Sequence, residues 1–406
     1  MRLALLTHEP FHPPTGGGSA EARYLVEELR RRGHILHVFS PPGEGAEAVE
    51  RELGIRWHRF TRWPMGRYTR LRTPKYLLYP GALARWVAAT ALATPFDGLI
   101  AQHAISSVAA ARLKRRLKVP VILNFLDHLT GFMAAWPGWL MPKPLLRRLN
   151  RYEIGLPRRA NADGVLTVSD PLAARFAAAG FPRERLCPIN YGYDSAVFRF
   201  DPAAVAARAD GPPVIVMHGS FDHHHLGPIA VDAMRRVHAA RPAVRLRLIG
   251  KGTPALRAFL RQASAAGIRD AVEHREFVPY AEVARELARA QVGIVPYQET
   301  PGTHCAFVAK AVEYLGLGLP VVSTSLEAIR LYFRDEPLIR FAGFDGAGFG
   351  DAILGWLEEP AARRAALGPA AAERVAQELD WRVIARRAVD FVEATLGRAG
   401  AGRGGA

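Results

Sequence analysis

The first half of the chain alternates short apolar runs with longer stretches of mixed polarity. Apolar runs at 3–6, 35–39, 98–101, 121–125 and 164–168 predict buried strands, and several stretches between them predict helices. One predicted helix spans 19–32, with Ser19 as its N-cap, Glu21 in its first turn and Gly33 just beyond its basic end. This alternation predicts a parallel sheet with helices on both faces.

A second alternating series follows a connection at 201–213, which consists of Asp201-Pro202, an Ala-rich stretch and Gly211-Pro212-Pro213. Its apolar runs lie at 214–217, 244–249, 273–277, 292–295 and 320–323, with helices predicted at 228–239 and 281–290. We therefore predict two α/β domains, at 1–200 and 201–380. A helix at 381–396, expected to pack back toward the first domain, and a disordered tail at 397–406 follow them. The carboxyl ends of the two sheets are expected to face one ligand across a cleft.

Composition and charge narrow the functional classes. The chain has 406 residues, of which 49% are hydrophobic and 23% charged, which fits a folded protein of two domains. Its net charge of +16 favours an anionic partner, although a solvated basic surface without a special partner explains the charge equally well. Only Cys187 and Cys305 are present, and no apolar run is long enough to span a bilayer. We expect a cytoplasmic protein whose membrane contact, if any, is peripheral.

Two motifs are typical of a phosphate-binding site. Gly16, Gly17 and Gly18 follow the first strand and open the first helix, where backbone N–H groups and the helix dipole favour an anion. A merely tight turn is the alternative, since the spacing is not that of a dinucleotide site. The second motif places Lys310 and Glu313 on one face of a helix before the strand at 320–323, where they are suited to a phosphate and to ribose hydroxyls.

With these motifs the sequence resembles the family-four glycosyltransferases and their close relatives of the GT-B fold. The resemblance covers nearly the whole chain, because further motifs stand in the family's order: Arg32-Gly33-His34, Val38-Phe39, Val168-Ser169, Asn190-Tyr191-Gly192-Tyr193-Asp194 with Phe198, and Leu248-Ile249-Gly250-Lys251-Gly252. It implies two Rossmann-like domains facing across a cleft, with the acceptor in the first and the nucleotide sugar in the second. It also implies that Glu313 binds ribose and that Lys310 approaches the diphosphate, with Gly17 and Gly18 near the donor.

Two departures from the family pattern affect the expected donor site. The position eight residues before Glu313 is Cys305 instead of a glutamate, so the first carboxylate is either missing or supplied by Glu299. The Arg and Lys that usually follow the first strand of the second domain are replaced by Gly219 and Ser220 and by the run His223–His225. Diphosphate binding is then expected from Lys310, with Lys251 or a histidine as further candidates. Adjacent histidines in one turn do not converge on one ion, so no metal is predicted.

Catalytic and acceptor-binding candidates lie at strand ends of the first domain. Asp127 and His128 follow the strand at 121–125, where Asp127 could take a proton from an acceptor hydroxyl and His128 could bind the acceptor or the donor sugar. A capping role for Asp127 is the alternative. His103 is a third candidate, or an ordinary loop residue. The resemblance favours retention over inversion at the sugar, whereas a base at Asp127 would suit inversion.

Basic and aromatic residues alternate along 59–86, and a second such segment spans 131–148. This composition favours contact with an anionic membrane surface, and hence a lipid-linked acceptor or a precursor of a cell-envelope glycan. The alternative is that these aromatic residues pack internally or shape a pocket for a soluble acceptor. Nucleic acid is not an expected partner, because no binding motif accompanies the charge.

The sequence therefore predicts a metal-independent hexosyltransferase that uses a nucleoside-diphosphate sugar as substrate and needs no cofactor. Two alternatives remain open: a nucleotide-sugar epimerase of the same architecture, and a basic membrane-binding protein without activity.

Overall fold

The computed structural model describes residues 1–13, 17–59, 72–136, 138–139, 141–206, 208, 212–276, 278 and 280–401. The chain divides into two compact units. The first unit comprises Met1–Thr130, Lys143–Tyr191 and Trp381–Ala406, and the second comprises Gly131–Pro142 and Gly192–Asp380. Each unit is an α/β structure built around one parallel sheet.

The strands of the first unit are short and mostly buried. They are β1 (Arg2–Leu6), β2 (Ile35–Ser40), β3 (Arg56–Arg59), β4 (Gly98–Gln102), β5 (Val121–Phe125), β6 (Gly164–Thr167) and β7 (Leu186–Pro188). The helices along the same part of the chain are α1 (Gly17–Arg31), α2 (Ala46–Leu53), α3 (Arg72–Ala93), α4 (His103–Leu117), α5 (Leu129–Phe132), α6 (Lys143–Ile154), α7 (Leu156–Arg159) and α8 (Asp170–Ala178).

The second unit and the C-terminal helix complete the chain. The strands are β8 (Val214–His218), β9 (Arg245–Ile249), β10 (Val272–Arg275), β11 (Val292–Val295), β12 (Val321–Thr324) and β13 (Ile339–Ala342). The helices are α9 (Pro202–Ala206), α10 (Pro228–Ala240), α11 (Pro254–Ala265), α12 (Tyr280–Ala288), α13 (Pro301–Cys305), α14 (Ala309–Gly316), α15 (Glu327–Tyr332), α16 (Gly346–Glu358), α17 (Ala361–Leu379) and α18 (Trp381–Ala401). Helix α18 packs on α1 within the first unit.

Strand order places loops from neighbouring strands together. The first sheet has the order β3-β2-β1-β4-β5-β6-β7, and the second has the order β10-β9-β8-β11-β12-β13. All strand pairs are parallel. The order reverses between β1 and β4 in the first sheet and between β8 and β11 in the second. Ligands of doubly wound sheets bind at the carboxyl ends of the strands at such a reversal, so these two edges carry the candidate sites.

The fold class predicted from the sequence is confirmed: two Rossmann-like units with parallel sheets. Three short strands were not predicted. Strand β3 is basic and lies at a sheet edge, β7 has only three residues, and β13 does not form a long apolar run. The first helix begins at Gly17, so the prediction of Ser19 as its N-cap is wrong, and Glu21 lies beyond the first turn. The last helix continues to Ala401, so residues 397–401 are helical, and the rest of the predicted tail lies outside the described residues.

Candidate active site

Glu313 lies on α14, and its carboxylate meets the ring of His218 at the carboxyl end of β8. His218 Nε2 is 2.7 Å from Glu313 Oε2, and His218 Nδ1 is 3.2 Å from the Tyr314 hydroxyl. A carboxylate can only accept a hydrogen bond, so this pairing requires the proton on Nε2, with the Tyr314 hydroxyl donating to Nδ1. Burial raises the pKa of Tyr314 well above its usual value, which keeps this hydroxyl protonated. His218, itself fixed by Tyr314, thus holds the Glu313 carboxylate in one orientation.

The other carboxylate oxygen of Glu313 is available to a ligand. No described residue donates a hydrogen bond to Oε1, and the Glu313 side chain keeps 11% of its surface exposed. A carboxylate held on one oxygen and free on the other is well suited to accept hydrogen bonds from a pair of hydroxyl groups.

Lys310 lies one turn before Glu313 on α14, over the backbone that follows β8. Its Nζ donates to the Tyr297 hydroxyl at 3.0 Å. Gly219 has a φ of 97°, and a Cβ at this position would lie 3.2 Å from Lys310 Cε. The glycine therefore allows the lysine to approach an exposed stretch of backbone. A fixed ammonium group beside accessible backbone is an arrangement that favours an anion.

The other predicted donor-site residues differ in their surroundings. Ser220 is half-buried directly after Gly219, and Lys251 is exposed and makes no hydrogen bond or ion pair with a described residue. Glu299 has a side chain that is 62% exposed and lies 3.3 Å from His304 Nε2. Cys305 is fully buried. Glu299 is thus turned toward His304 and the solvent instead of toward Glu313.

Of the histidines at 223–225, His224 and His225 form part of an aromatic cluster, whereas His223 is exposed. The rings of His224 and Phe132 stack at 4.5 Å, and the ring of His225 lies 4.5 Å from that of Tyr297. His225 Nδ1 accepts a hydrogen bond from the backbone N–H of Asp222. Within the described part of the chain, no three His, Cys, Asp or Glu side chains are grouped so that they could hold a metal ion. The cluster supports Tyr297, which in turn holds Lys310.

The first unit brings Gly18, Glu9 and His103 together at the reversal of its sheet. A Cβ on Gly18 would lie 2.7 Å from Glu9 Oε2 and 2.8 Å from His103 Nε2. His103 opens α4 with a φ of 66°, a conformation that costs energy for a residue other than glycine. Gly17 packs against the Tyr191 hydroxyl so closely that it leaves no room for a side chain. Gly16 lies outside the described residues.

Glu21 is buried behind this turn and accepts hydrogen bonds from two strand-end amides. Asn124 Nδ2 donates to Glu21 Oε1 at 2.8 Å, and Gln102 Nε2 donates to Glu21 Oε2 and to the carbonyl oxygen of Gly18. Burial raises the pKa of Glu21 from 4.5 to about 7, although the two hydrogen bonds oppose this change. This carboxyl therefore ties the N-terminal part of α1 to the ends of β4 and β5.

His128 is buried after β5, and Asp127 before it is half-buried. The Nε2 atom of His128 lies 2.7 Å from Asn150 Oδ1 on α6. Glu153, one turn further along α6, accepts hydrogen bonds from the backbone N–H groups of Leu129 and Thr130. Helix α6 thus fixes both the ring of His128 and the loop that carries it.

Sequence analysis did not find several of these residues. His218 and Tyr297 stand singly at or near strand ends, where neither spacing nor composition marks them. Glu21 was expected to stabilise the helix N-terminus as an acidic residue, but in the structure it is buried and accepts hydrogen bonds from strand-end amides. One available signal was that Asn124 and Gln102 lie at the ends of two neighbouring predicted strands, which indicates a polar cluster there.

Comparison with known proteins agrees with this architecture. Residues 16–192 match the family described as Glycosyl transferase 4-like domain, and residues 212–359 match the family described as Glycosyl transferases group 1. Together the two matches take in most of the chain. The chain therefore belongs to the glycosyltransferases of the GT-B fold and the family-four type, and it is a glycosyltransferase enzyme.

Individual relatives are distant but cover the chain well. The GDP-mannose-dependent alpha-(1-6)-phosphatidylinositol monomannoside mannosyltransferase of Mycolicibacterium smegmatis is 25% identical, over 79% of each chain. The D-inositol 3-phosphate glycosyltransferase of Thermobispora bispora is 25% identical, over 95% of this chain and 92% of its own. Sucrose-phosphate synthase from Thermosynechococcus elongatus has a similar fold, with a TM-score of 0.78 at 17% identity over 98% of this chain and 99% of its own. HepE from Anabaena, solved with UDP and glucose, has a TM-score of 0.73 at 17% identity over 97% of this chain and 100% of its own.

None of the helices that the structure describes is both long enough and apolar enough to span a bilayer.

Proposed function

We propose that this enzyme transfers a hexose from a nucleoside-diphosphate sugar that is bound by the second unit. The observation that carries the proposal is the pairing of Glu313 with His218 through one carboxylate oxygen, while the other accepts no hydrogen bond from a described residue. In this proposal Glu313 accepts hydrogen bonds from the ribose hydroxyls of the donor. HepE was solved with UDP-glucose, and the mycobacterial relative is named as GDP-mannose-dependent, so both nucleotides are candidates.

Lys310 is proposed to stabilise the diphosphate as it leaves. Its ammonium lies over Gly219, where the backbone N–H of Ser220 is a further candidate to face a phosphate. The N–H of Gly219 itself donates to the Ile249 carbonyl oxygen. Negative charge on the diphosphate grows toward the transition state, so a fixed cation contributes more to the rate than to ground-state binding. Lys251, exposed on the loop after β9, is proposed as a further contact to the phosphates. Glu299 is a weaker candidate for the sugar, because it pairs with His304.

The first unit is proposed to hold the acceptor. His103 opens α4 directly after β4, Asp127 and His128 follow β5, and Gly18 at the start of α1 lies beside His103. Asp127 is the candidate to accept a hydrogen bond from the acceptor hydroxyl, and His128, oriented by Asn150, is the candidate to bind an acceptor or sugar hydroxyl. We propose retention of configuration, without a resident metal or cofactor.

The acceptor is proposed to carry an inositol phosphate or a related lipid-linked group. Support comes from the names of the relatives, which act on a phosphatidylinositol mannoside and on inositol 3-phosphate. We further propose a peripheral position on the inner face of the cell membrane. Within 59–86, the sequence segment that first suggested this, residues 60–71 lie outside the described residues. In the second segment, Trp139 is 84% exposed whereas Phe132 stacks on His224.

A screen of nucleotide sugars by thermal unfolding tests the donor assignment. We expect one nucleoside-diphosphate sugar at 100 times its Kd to stabilise the protein by about 2.7 kcal/mol. Sugar should then pass to an added inositol phosphate or phosphatidylinositol acceptor. Conversion of the donor to an isomer without transfer would favour an epimerase. Failure of every nucleotide sugar to stabilise the folded protein would contradict the proposal.

A further inference from the structure

An open groove on the first unit is lined largely by arginine. It has a volume of about 890 Å³ and lies between α6 and α7 on one side and α8 on the other. A smaller pocket of about 390 Å³ adjoins it through two shared side chains, Arg147 and Arg151. No Asp or Glu lines the groove, and its cationic side chains are Arg147, Arg151, Arg158, Arg159 and Arg175.

These arginines lack the carboxylate partners that several other arginines of this protein have. Among the described residues, no Asp or Glu lies within ion-pair distance of any arginine in the groove. Arg32, by contrast, contacts Glu28, Asp390 and Glu393. The one acidic residue of α6, Glu153, is turned inward to the backbone of Leu129 and Thr130. The positive charge of the groove is therefore uncompensated within the described part of the chain.

Local packing holds part of this charge in place. The guanidinium of Arg159 lies 4.4 Å from the centroid of the Tyr152 ring and also donates to the Tyr152 carbonyl oxygen. It crosses Gly155, where a Cβ would lie 2.5 Å from Arg159 Nη1. The Arg158 guanidinium lies against Gly180, with a Cβ there 3.3 Å from its Nη1. Cations held close together repel one another, and an anion that binds between them relieves this repulsion.

We infer that this groove binds phosphate groups, at a site separate from the nucleotide-sugar site of the second unit. Guanidinium groups present paired donors that match phosphate oxygens, which makes arginine the preferred residue for such a ligand. Leu145 and Tyr152 on α6 are 47% and 46% exposed beside the groove. Exposed apolar side chains next to a basic groove favour the headgroup of an anionic phospholipid over a soluble phosphate.

Vesicle binding of the full-length protein tests this inference. We expect the wild type to sediment with phosphatidylglycerol vesicles but not with phosphatidylcholine vesicles, and to bind less as salt rises. The double variant Arg147→Gln/Arg151→Gln removes two cations one turn apart on α6 and should weaken binding by about tenfold or more. The matched control is Arg115→Gln/Arg116→Gln, on the exposed end of α4, which should bind within about twofold of the wild type.

A soluble probe distinguishes the source of the phosphate. Inositol hexakisphosphate, titrated by calorimetry, should bind the wild type and lose affinity in the groove variant if the groove recognises phosphate. Binding of this probe without vesicle binding would retain the phosphate site and overturn the lipid source. Equal binding of both ligands by the groove variant and the control, or no binding by the wild type, would overturn the site. If the double variant unfolds at a lower temperature than the control, the single variant Arg158→Gln takes its place.

Discussion

Substituting His218 by asparagine or by glutamine separates its two hydrogen bonds. Asparagine can accept from the Tyr314 hydroxyl near the position of Nδ1 but cannot reach Glu313. Glutamine can donate to Glu313 near the position of Nε2 but leaves Tyr314 without its acceptor. Both native bonds are buried, since the His218 and Glu313 side chains are 10% and 11% exposed. The two variants therefore test whether His218 positions the carboxylate or only fills space.

The expected effects follow from the kind of bond that each variant loses. A hydrogen bond to a charged group contributes about 1.5–3 kcal/mol, and a neutral one about 1 kcal/mol. His218→Asn should lower the free energy of unfolding by about 2 kcal/mol, and His218→Gln by about 1 kcal/mol. At roughly 2–4 °C for each kcal/mol, the melting temperature should fall by about 4–8 °C in His218→Asn and by about 2–4 °C in His218→Gln.

Nucleotide affinity should separate the variants further. Once Glu313 is free to rotate, ordering its side chain on binding costs about 1 kcal/mol. His218→Asn should therefore bind the nucleoside diphosphate about fivefold more weakly, whereas His218→Gln should stay within about twofold of the wild type. Calorimetric titration and thermal unfolding measure the two effects. The control is His238→Asn on α10, which removes no hydrogen bond to a described residue. Equal nucleotide affinity of the asparagine and glutamine variants would refute the positioning role of His218.

Three further predictions concern other parts of the two units. Lys310→Ala should lower kcat more than it raises the Kd of the nucleotide sugar, because leaving-group charge grows in the transition state; equal effects in steady-state kinetics and titration would indicate simple binding. The raised pKa of Glu21, about 7, means that its neutral form stabilises the fold below pH 4.5 and that this stability is lost as pH rises through 7. Between pH 4 and pH 8 the wild type should therefore lose about 3 kcal/mol more unfolding free energy than Glu21→Gln, as measured by denaturant titration. If the unfolding free energies of the two proteins changed in parallel with pH, Glu21 would not have this raised pKa. Gly18→Ala places a Cβ within 2.8 Å of Glu9 and His103, so it should slow transfer while nucleotide affinity, measured by titration, stays unchanged.

Much of the fold could be predicted because buried parallel strands give continuous apolar runs. The strand β5 (Val121–Phe125) was predicted with its observed bounds, and β11 (Val292–Val295) likewise. The strand β3 (Arg56–Arg59) was missed because it lies at the edge of the sheet, and an edge strand can be polar on its exposed positions. The start of α1 was placed two residues late, because a serine after glycines is typical of an N-cap but here lies inside the helix.

The candidate site could be predicted only where motif residues share one helix or one turn. Lys310 and Glu313 share α14, so their spacing was sufficient to group them. His218 meets Glu313 across 95 residues of sequence, and this contact exists only once β8 and β11 lie side by side. Glu21 was expected only as an acidic residue in the first turn of the helix, because sequence alone does not show that it accepts hydrogen bonds from Asn124 and Gln102. Long-range polar contacts of this kind leave no periodic signal.

Calorimetric titration of the wild type and of Glu313→Ala with UDP and GDP tests the central proposal most directly. The proposal assigns to Glu313 the hydrogen bonds to the ribose, which together contribute about 1.5–3 kcal/mol to binding. We expect one of the two nucleotides to bind the wild type and to lose about 10- to 150-fold in affinity in a folded Glu313→Ala variant. Unchanged affinity in that variant, or no binding of any nucleoside diphosphate by the wild type, would contradict the assignment of the donor site.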